Sequence, residues 1–273
     1  MDTRLTGAPE LPAPGVAACY GHAWRLLWRR FWPLLGIALV YFLLQSPNWA
    51  MSPYSPPDGG GSNILLVFFG LVSALVVGSL SLAYGALVVW PVSYGQTYVY
   101  LRVVRDEDPR LADLFAPFSR GFLTTILSVF LISAASALVF LIPAVPAALF
   151  VGIAVAIGDA AVWVLVGLLV LALMLGAFAA LAFLAVRFAF IPYLVIDEGL
   201  GTVAAFQESW RRTGRHFWTL LGAGLLAIPI VLGGLMFFLV GVIPALMWLG
   251  LAHATIFASI TAEGSAVASW RGR

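Results

Sequence analysis

The chain contains no lysine, and all 14 of its basic residues are arginine. Cysteine is almost absent too: Cys19 stands alone, which excludes an intrachain disulfide and a cysteine-based metal site. Charge is scarce, because acidic and basic residues make up only 10% of the 273 residues. Since soluble domains carry about 25% charged residues, this composition excludes a soluble globular fold.

Motifs for catalysis and nucleotide binding are also lacking. No GxSxG, Walker, Rossmann, HExxH or paired-carboxylate pattern occurs. The three histidines, His22, His216 and His253, are scattered, and no two have the i, i+3 or i+4 spacing of metal ligands on a helix. Cys19 and His22 have no third group to support a catalytic pair. We therefore expect a non-enzymatic protein with no cofactor, no metal and no nucleic-acid partner.

Apolar residues dominate instead, at 62% of the sequence with a mean hydropathy of +1.03. A transmembrane helix needs roughly 20 apolar residues, and this pattern predicts an all-α polytopic membrane protein of about six spans. The predicted spans are about Phe31–Gln45, Asn63–Pro91, Phe122–Ile142, Ala161–Phe188, Phe217–Val240 and Ile243–Thr261.

Two regions leave alternatives open. After Pro91 the sequence still has a helical pattern, so the second helix could kink there and continue towards the interface. The stretch Ile142–Gly158 is short for a span. It either extends the third helix past a proline kink or lies as a re-entrant or interfacial segment.

The arginine distribution predicts the orientation. With six spans and an internal N-terminus, every arginine falls on one side of the membrane. The positive-inside rule then places both termini in the cytoplasm of a bacterium, with the protein in its inner membrane. Residues 1–13 are expected to be a disordered lead, 14–265 a single membrane domain and 266–273 a short tail. The largest outer loop, Ser46–Ser62, is rich in proline and glycine and predicts a flexible connector.

One phrase occurs twice, as AWRLLWRRFWPLLG (Ala23–Gly36) and SWRRTGRHFWTLLG (Ser209–Gly222). Each copy lies where an amphipathic stretch meets a predicted span. Such a helix is expected to lie in the interface plane, with apolar residues towards lipid and arginines towards phosphate. The apolar stripes are Val16, Tyr20, Ala23, Leu27 and Phe31 in the first copy, and Val203, Phe206, Trp210 and Phe217 in the second.

A weaker third copy precedes Phe122. Leu111, Leu114, Phe115 and Phe118 have helical spacing there, with Asp108 as the expected N-cap and Pro109 as the first helical residue. The anchors Phe31, Phe122 and Phe217 are 91 and 95 residues apart. This spacing predicts three parallel repeats of an interfacial helix and a transmembrane hairpin, at about 14–105, 106–190 and 200–265.

Two stretches carry a family resemblance. In GQTYVYLRVVRDEDPRLADLFAPFSRGF (Gly95–Phe122), a leucine-arginine helix runs into an acidic turn and a DLF motif. RFAFIPYLVIDEGLGTVAAFQESWRRTGRHFW (Arg187–Trp218) combines IPYLVIDEG with A-x-x-x-SW. Together they resemble uncharacterised six-helix prokaryotic integral membrane proteins, a group similar to the membrane domain fused to some glycerophosphodiester phosphodiesterases. The resemblance implies the fold, a membrane location and a link to phospholipid metabolism, but no activity.

The arginines provide the main candidate site. If the repeats pack around one axis, the arginines at the cytoplasmic face would come together. The arginines expected to contact headgroups or a partner are Arg25, Arg29, Arg120, Arg211 and Arg215. One interpretation is that they set topology and bind anionic headgroups without selectivity. The other is a selective site for a headgroup or a partner protein.

Within the spans, His253 is the main polar candidate, because it is the one ionisable residue well inside a predicted helix. It would act as a proton relay or ligand contact, or stay neutral and hydrogen-bonded between helices. The leading functional hypothesis is an accessory or scaffold protein that engages membrane lipids, anionic phospholipid among them, or a membrane partner. The alternative is a transporter or lipid-moving protein with a path between the repeats.

Overall fold

The structure is a computed structural model that describes residues 11–50 and 64–271. Every regular element in these ranges is helical, which confirms the all-α prediction. Residues 1–10 of the expected lead and 51–63 of the expected connector lie outside the described residues. The elements are α1 (Val16–Arg29), α2 (Phe31–Ala50), α3 (Ile64–Tyr84), a π-helical turn (Gly85–Val89), α4 (Trp90–Val104), a 3₁₀ helix (Leu111–Phe115), α5 (Ala116–Arg120), α6 (Phe122–Ile157), α7 (Ala160–Phe188), α8 (Ile191–Ile196), α9 (Thr202–Arg215), α10 (Phe217–Met236) and α11 (Phe238–Arg271).

Five helical segments within the described ranges are long and apolar enough to cross a membrane. A sixth results if α1 and α2, which are bent by 93° at Arg30, count as one broken span. This number confirms the prediction of about six apolar helices and is typical of a multi-pass membrane protein. Three of the helices, α2, α6 and α10, begin at the anchor residues Phe31, Phe122 and Phe217.

The second span continues past Pro91, as one of the open alternatives allowed. Its helix runs without a break from α3 into α4. The irregular turn lies just before the proline, at Gly85–Val89, where the backbone widens into a π-helix. Proline has no N–H to donate to the preceding turn, and a local π-helix is a common way to absorb that loss.

The stretch after Ile142 extends the third helix. Helix α6 passes through both Pro143 and Pro146 and ends only at Ile157, so the re-entrant and interfacial alternatives are wrong. Gly158 then adopts a left-handed conformation with a φ of 71°, which stops the helix. The side chain of Asp159 accepts a hydrogen bond from the backbone N–H of Ala161 at 2.7 Å and starts α7 as its N-cap.

The segment before Phe122 does not form the amphipathic helix that was expected, and the proposed cap at Asp108 is wrong. A 3₁₀ helix begins instead at Leu111, where the carboxylate of Asp113 accepts a hydrogen bond from the backbone of Arg110 at 2.9 Å. This turn lies directly on α4. A Cβ atom at Gly95 would come within 1.9 Å of the carbonyl oxygen of Leu114, so only glycine allows the contact.

The packed core lies around α11. Half of its most apolar stretch is buried inside the protein, against about a tenth in α6 and α7. Helices α1, α4 and α10 all pack on it, and Tyr193 of α8 stacks on Phe257 of α11 with ring centroids 4.6 Å apart. Helices α6 and α7 pack mainly against each other and keep large apolar side chains exposed, as lipid-facing helices do.

Candidate functional site

Helix α1 turns its apolar stripe towards protein. Cys19, Ala23 and Leu27 are fully buried, and the helix packs chiefly on α11. The hydroxyl of Tyr20 donates to the carbonyl of Ala223 in α10 at 2.8 Å, and the indole of Trp248 donates to the carbonyl of Tyr20 at 3.0 Å. The expectation that this stripe faces lipid is therefore wrong, because α10 and α11 pack against this face of α1.

Helix α9 packs through a different kind of surface. Its buried residues are small or hydroxylated: Thr202, Ala205, Ser209 and Thr213. They face α7 and α8, and the hydroxyl of Ser209 donates to the carbonyl of Arg187 at 2.6 Å. The predicted apolar stripe is divided: Val203 is 68% exposed and Trp210 is exposed too, whereas Phe206 and Phe217 pack partly against the core. The expected outward orientation therefore agrees with the exposure of only half of the stripe.

The two copies of the repeated phrase nevertheless have matching environments. Trp24 and Trp210, which align, are 44% and 45% exposed. The aligned pair Trp32 and Trp218 is 78% and 79% exposed. Since exposed tryptophan is typical of the membrane–water interface, each copy presents its aromatic residues in the same way.

The backbone also turns in the same way in both copies. Arg30 links α1 to α2 with a φ of −126° and a ψ of 33°. His216 links α9 to α10 with a φ of −113° and a ψ of 24°. The segment before Phe122 differs, because its linking residue, Gly121, has a φ of 142°. We refer below to the first two bends as the α1 corner and the α9 corner.

Several arginines form ion pairs, and the pair made by Arg105 connects parts of the chain that are 92 residues apart. Arg102 contacts Asp113 at 2.6 Å and Glu107 at 2.7 Å. Arg105 forms two parallel hydrogen bonds, both of 2.6 Å, with the carboxylate of Asp197. These bonds raise the pKa of Arg105 above its ordinary value. Sequence reasoning missed both arginines, because their partners are set by the tertiary fold.

Arg30 is committed in the same way at the α1 corner. Its guanidinium contacts the carboxylates of Asp106 and Asp108, each at 3.0 Å, and donates to the carbonyl of Glu107. The corner is thereby attached to the turn after α4. Asp108, expected to cap a helix, serves this ion pair instead.

Arg212 has the fullest set of partners at the α9 corner. Two of its nitrogens bind the carboxylate oxygens of Glu198, at 2.6 and 2.9 Å, and its Nε donates to Glu208 at 2.5 Å. A further donor reaches the hydroxyl of Thr261 in α11 at 3.3 Å. Burial alone would raise the pKa of Glu208, but its contacts with Arg211 and Arg212 lower it below the ordinary value, so the carboxylate stays charged at neutral pH.

All five predicted contact arginines are exposed. On α1, Arg25 is exposed, and the side chain of Arg29 is 67% exposed and 3.9 Å from Asp106. On α9, the side chain of Arg211 is 78% exposed and Arg215 is also exposed. Within the described ranges, neither Arg25 nor Arg215 has an acidic partner. Each helix thus presents two arginines four residues apart.

Arg120, the fifth, is held against α4. It donates to the hydroxyl of Tyr98 at 3.1 Å, and its guanidinium carbon lies 5.6 Å from the centre of that ring. This cation–π contact restricts the side chain of Arg120, which the sequence analysis grouped with the arginines that contact headgroups or a partner.

The α9 corner borders a cleft. The cleft measures about 940 Å³ and opens between the corner and the last turns of the described part of α11. Its lining residues are Glu208, Arg211, Arg212, Arg215, His216, Ile260, Thr261, Glu263 and Gly264. The structure therefore brings two of the five predicted arginines into one site and leaves Arg25, Arg29 and Arg120 outside that lining.

Arg187 was missed by the sequence analysis. Its guanidinium carbon lies 4.7 Å from the ring centre of Trp210 and 5.1 Å from that of Phe183. It also donates to the carbonyl of Trp210 at 3.2 Å. This contact joins α7 to α9 at the α9 corner, and Phe183, one helical turn before Arg187, was the local signal that could have identified it.

His253 hydrogen-bonds within its own helix. Its Nδ1 atom lies 2.9 Å from the carbonyl oxygen of Leu249, one turn earlier in α11, and not across to a neighbouring helix. Across the residues that the structure describes, no cluster of three or more histidine, cysteine or acidic side chains is arranged to hold a metal ion. Among the described residues, His253 therefore belongs to no such cluster and has its hydrogen bond within α11.

The chain matched no protein-family model, no curated protein and no solved structure. The resemblance to six-helix prokaryotic membrane proteins consequently stays a prediction, which rests on the motifs in Gly95–Phe122 and Arg187–Trp218.

Proposed function

We propose that this protein is a non-enzymatic accessory or scaffold protein of the bacterial inner membrane that binds anionic phospholipid at the ends of α1 and α9. The observation that supports this most directly is the pair of outward arginines on each helix, beside exposed tryptophans. In this proposal both termini are cytoplasmic, where anionic headgroups attract basic residues.

The energetics favour an external anion. Like charges four residues apart on a helix repel each other by roughly 0.2–0.5 kcal/mol. Arg25 and Arg29 form one such pair, and Arg211 and Arg215 form the other. A basic residue close to an anionic membrane surface gains about 1 kcal/mol. Lipid phosphate therefore more than offsets the repulsion within each pair.

The tryptophans support the same position in the bilayer. Trp32 and Trp218 follow the two corners directly and are almost fully exposed. Their indole rings prefer the headgroup region. With these rings at that level, the arginines on the preceding turn reach the phosphates, and α2 and α10 enter the hydrocarbon core.

The matching corners also support the proposed repeat architecture. The α1 and α9 corners share backbone conformation and exposure over the repeated phrase. We propose that they are equivalent parts of two parallel repeats, with a divergent middle copy around Phe122. In the middle copy two five-residue helices replace the 14-residue helix.

A transport function is the second candidate, and one cavity favours it. A lateral cavity of about 250 Å³ lies among α2, α4 and α11 and has polar groups on Tyr41, Gln96 and Tyr100. Polar residues within spans often mark a path for substrate. Lipid scrambling or solute flux in proteoliposomes that is abolished by Gln96→Leu would support this candidate over the scaffold.

Native mass spectrometry from lipid nanodiscs tests the leading proposal. We expect wild-type protein to retain phosphatidylglycerol in preference to phosphatidylcholine. Replacing Arg25, Arg29, Arg211 and Arg215 together by glutamine should remove that preference. The matched control replaces the same four residues by lysine, which keeps the charge and should keep most of the preference. Unchanged lipid retention in the glutamine variant would rule the proposal out.

A further inference from the structure

The cleft at the α9 corner combines charged, hydroxyl and apolar groups, as a specific binding site does. Its rim is basic, with Arg211 and Arg215 one helical turn apart on α9. Its floor on α11 combines the buried Ile260 with the hydroxyl of Thr261. Gly264 closes one side, with nothing within 4 Å of the position that a Cβ atom would occupy.

The arginines of the cleft differ in how fully acidic side chains pair with them. Arg212 is saturated by Glu198 and Glu208 and serves as a structural connection. Glu208 shares one oxygen between Arg211, at 2.8 Å, and Arg212. Arg215 has no acidic partner among the residues that the structure describes. The three arginines thus exceed these two acids by one positive charge, on Arg215, while Arg211, with a 78% exposed side chain, keeps guanidinium donors that its contact with Glu208 does not use.

A second acid also lines the cleft, and in the part of the chain that the structure describes it forms no ion pair with either rim arginine. Glu263 is 53% exposed, and its nearest basic group is Nε2 of His216 at 4.0 Å, which is charged only if protonated. The acid lies on α11, across the cleft from the rim arginines on α9. The vacant hydrogen-bond donors that remain are guanidinium groups, which match the oxygens of phosphate.

We infer that this cleft is a binding site for a phosphate ester, whose phosphate is gripped by Arg211 and Arg215 while His216 and Thr261 contact the rest of the polar group. The inference rests on the proposed function and deepens it, because it assigns selective binding to one corner only. Membrane phospholipid and a soluble phosphate ester both supply this chemistry, and the apolar floor at Ile260 allows part of a glycerol unit to pack beneath the phosphate.

The test compares two matched double variants, Arg211→Gln/Arg215→Gln in the α9 corner and Arg25→Gln/Arg29→Gln in the α1 corner. Each removes the same two charges at aligned positions. Phosphatidylglycerol affinity is measured by native mass spectrometry in nanodiscs of phosphatidylcholine with increasing phosphatidylglycerol. Each lost charged hydrogen bond should reduce affinity by about tenfold. We expect this loss in the α9 variant and little change in the α1 variant.

The possible failures are distinguishable. An equal loss in both variants would overturn the selective site while leaving general anionic-lipid binding intact. No loss in either variant would overturn both proposals. Glycerol 3-phosphate identifies the source. Thermal stabilisation by it without phosphatidylglycerol, or displacement of bound phosphatidylglycerol when both are present, assigns the site to soluble esters. If neither occurs while phosphatidylglycerol binds tightly, the site is assigned to headgroups.

A second variant tests the cleft without removing an arginine, so that a loss of binding can be separated from a loss of folding. Gly264→Leu fills the cleft while leaving every arginine in place, and the open space at this position tolerates the side chain. We expect it to reduce phosphatidylglycerol binding as the α9 variant does, with an unchanged melting temperature in detergent. Full lipid binding by a folded Gly264→Leu protein would show that the cleft is not the site.

Discussion

The α1 and α9 corners share eight of fourteen aligned residues and one backbone turn, yet they attach to the protein in different ways. The α1 corner buries leucines against α11, and the α9 corner buries small and hydroxylated residues against α7 and α8. The shared tryptophans and arginines lie on the outward side. The comparison shows that the exposed side of each corner follows the repeated phrase, whereas the differing residues correspond to the helices that each corner packs against.

The inner face of each corner is therefore the place to test the difference. At two adjacent aligned positions, Leu26 and Leu27 of α1 are replaced by Arg212 and Thr213 of α9. Leu27 and Thr213 are both fully buried, although one is apolar and the other donates to the carbonyl of Ser209 at 2.8 Å. A side chain taken from one corner should therefore destabilise the protein when it is placed at the aligned position of the other corner.

The largest effect is expected from Leu27→Thr. This change makes the α1 corner resemble the α9 corner, and it removes apolar contacts from a fully buried site, at a cost of about 3 kcal/mol of unfolding free energy. Thermal unfolding in a mild detergent measures it. Leu27→Met conserves volume and should cost less than about 1.5 kcal/mol. If Leu27→Thr melts like wild type, α1 faces lipid, as the sequence alone predicted.

A smaller effect is expected from Arg212→Leu, the reciprocal change. The leucine cannot pair with Glu198 or Glu208. The partly buried carboxylate of Glu198 would lose its arginine partner, while Glu208 would keep only Arg211, for a loss of about 2 kcal/mol. The neighbouring Arg211→Gln removes only one exposed pair and should cost less than about 1 kcal/mol. Equal melting temperatures for the two variants would mean that Arg212 is not the structural connection of the α9 corner.

The smallest effect is expected from Ser209→Ala, which installs the alanine found at the aligned Ala23. The variant loses the hydrogen bond to the carbonyl of Arg187, worth about 1 kcal/mol for a buried pair. Ser119→Ala is the matched control, since that exposed hydroxyl bonds only its own turn. A melting temperature for Ser209→Ala that matches this control would show that the α7–α9 contact does not depend on the hydroxyl.

Much of the helical architecture was predictable. The anchors Phe31, Phe122 and Phe217 begin three of the helices, because runs of apolar residues are strong local signals. The continuation past Pro91 followed from the same reasoning. The helix expected to begin at Asp108 does not form. Asp113 accepts the hydrogen bond from the local backbone, whereas Asp108 forms an ion pair with Arg30, which is distant in sequence.

The candidate site was predictable in part. Arginine identity and spacing pointed to Arg211 and Arg215, which do line one cleft. The same reasoning grouped Arg120 with them, although Tyr98 holds that side chain elsewhere. Arg187 was overlooked because its aromatic neighbours come from both α7 and α9.

The amino-acid sequence by itself determined that this protein is helical, that its helices are apolar enough to cross a membrane, and where the main ones begin. Those properties depend on hydropathy and on short-range periodicity. Only the tertiary structure decided that α1 is covered by α11 and which arginines remain unpaired. Those outcomes depend on contacts such as that between Arg105 and Asp197, 92 residues apart, which no local pattern encodes.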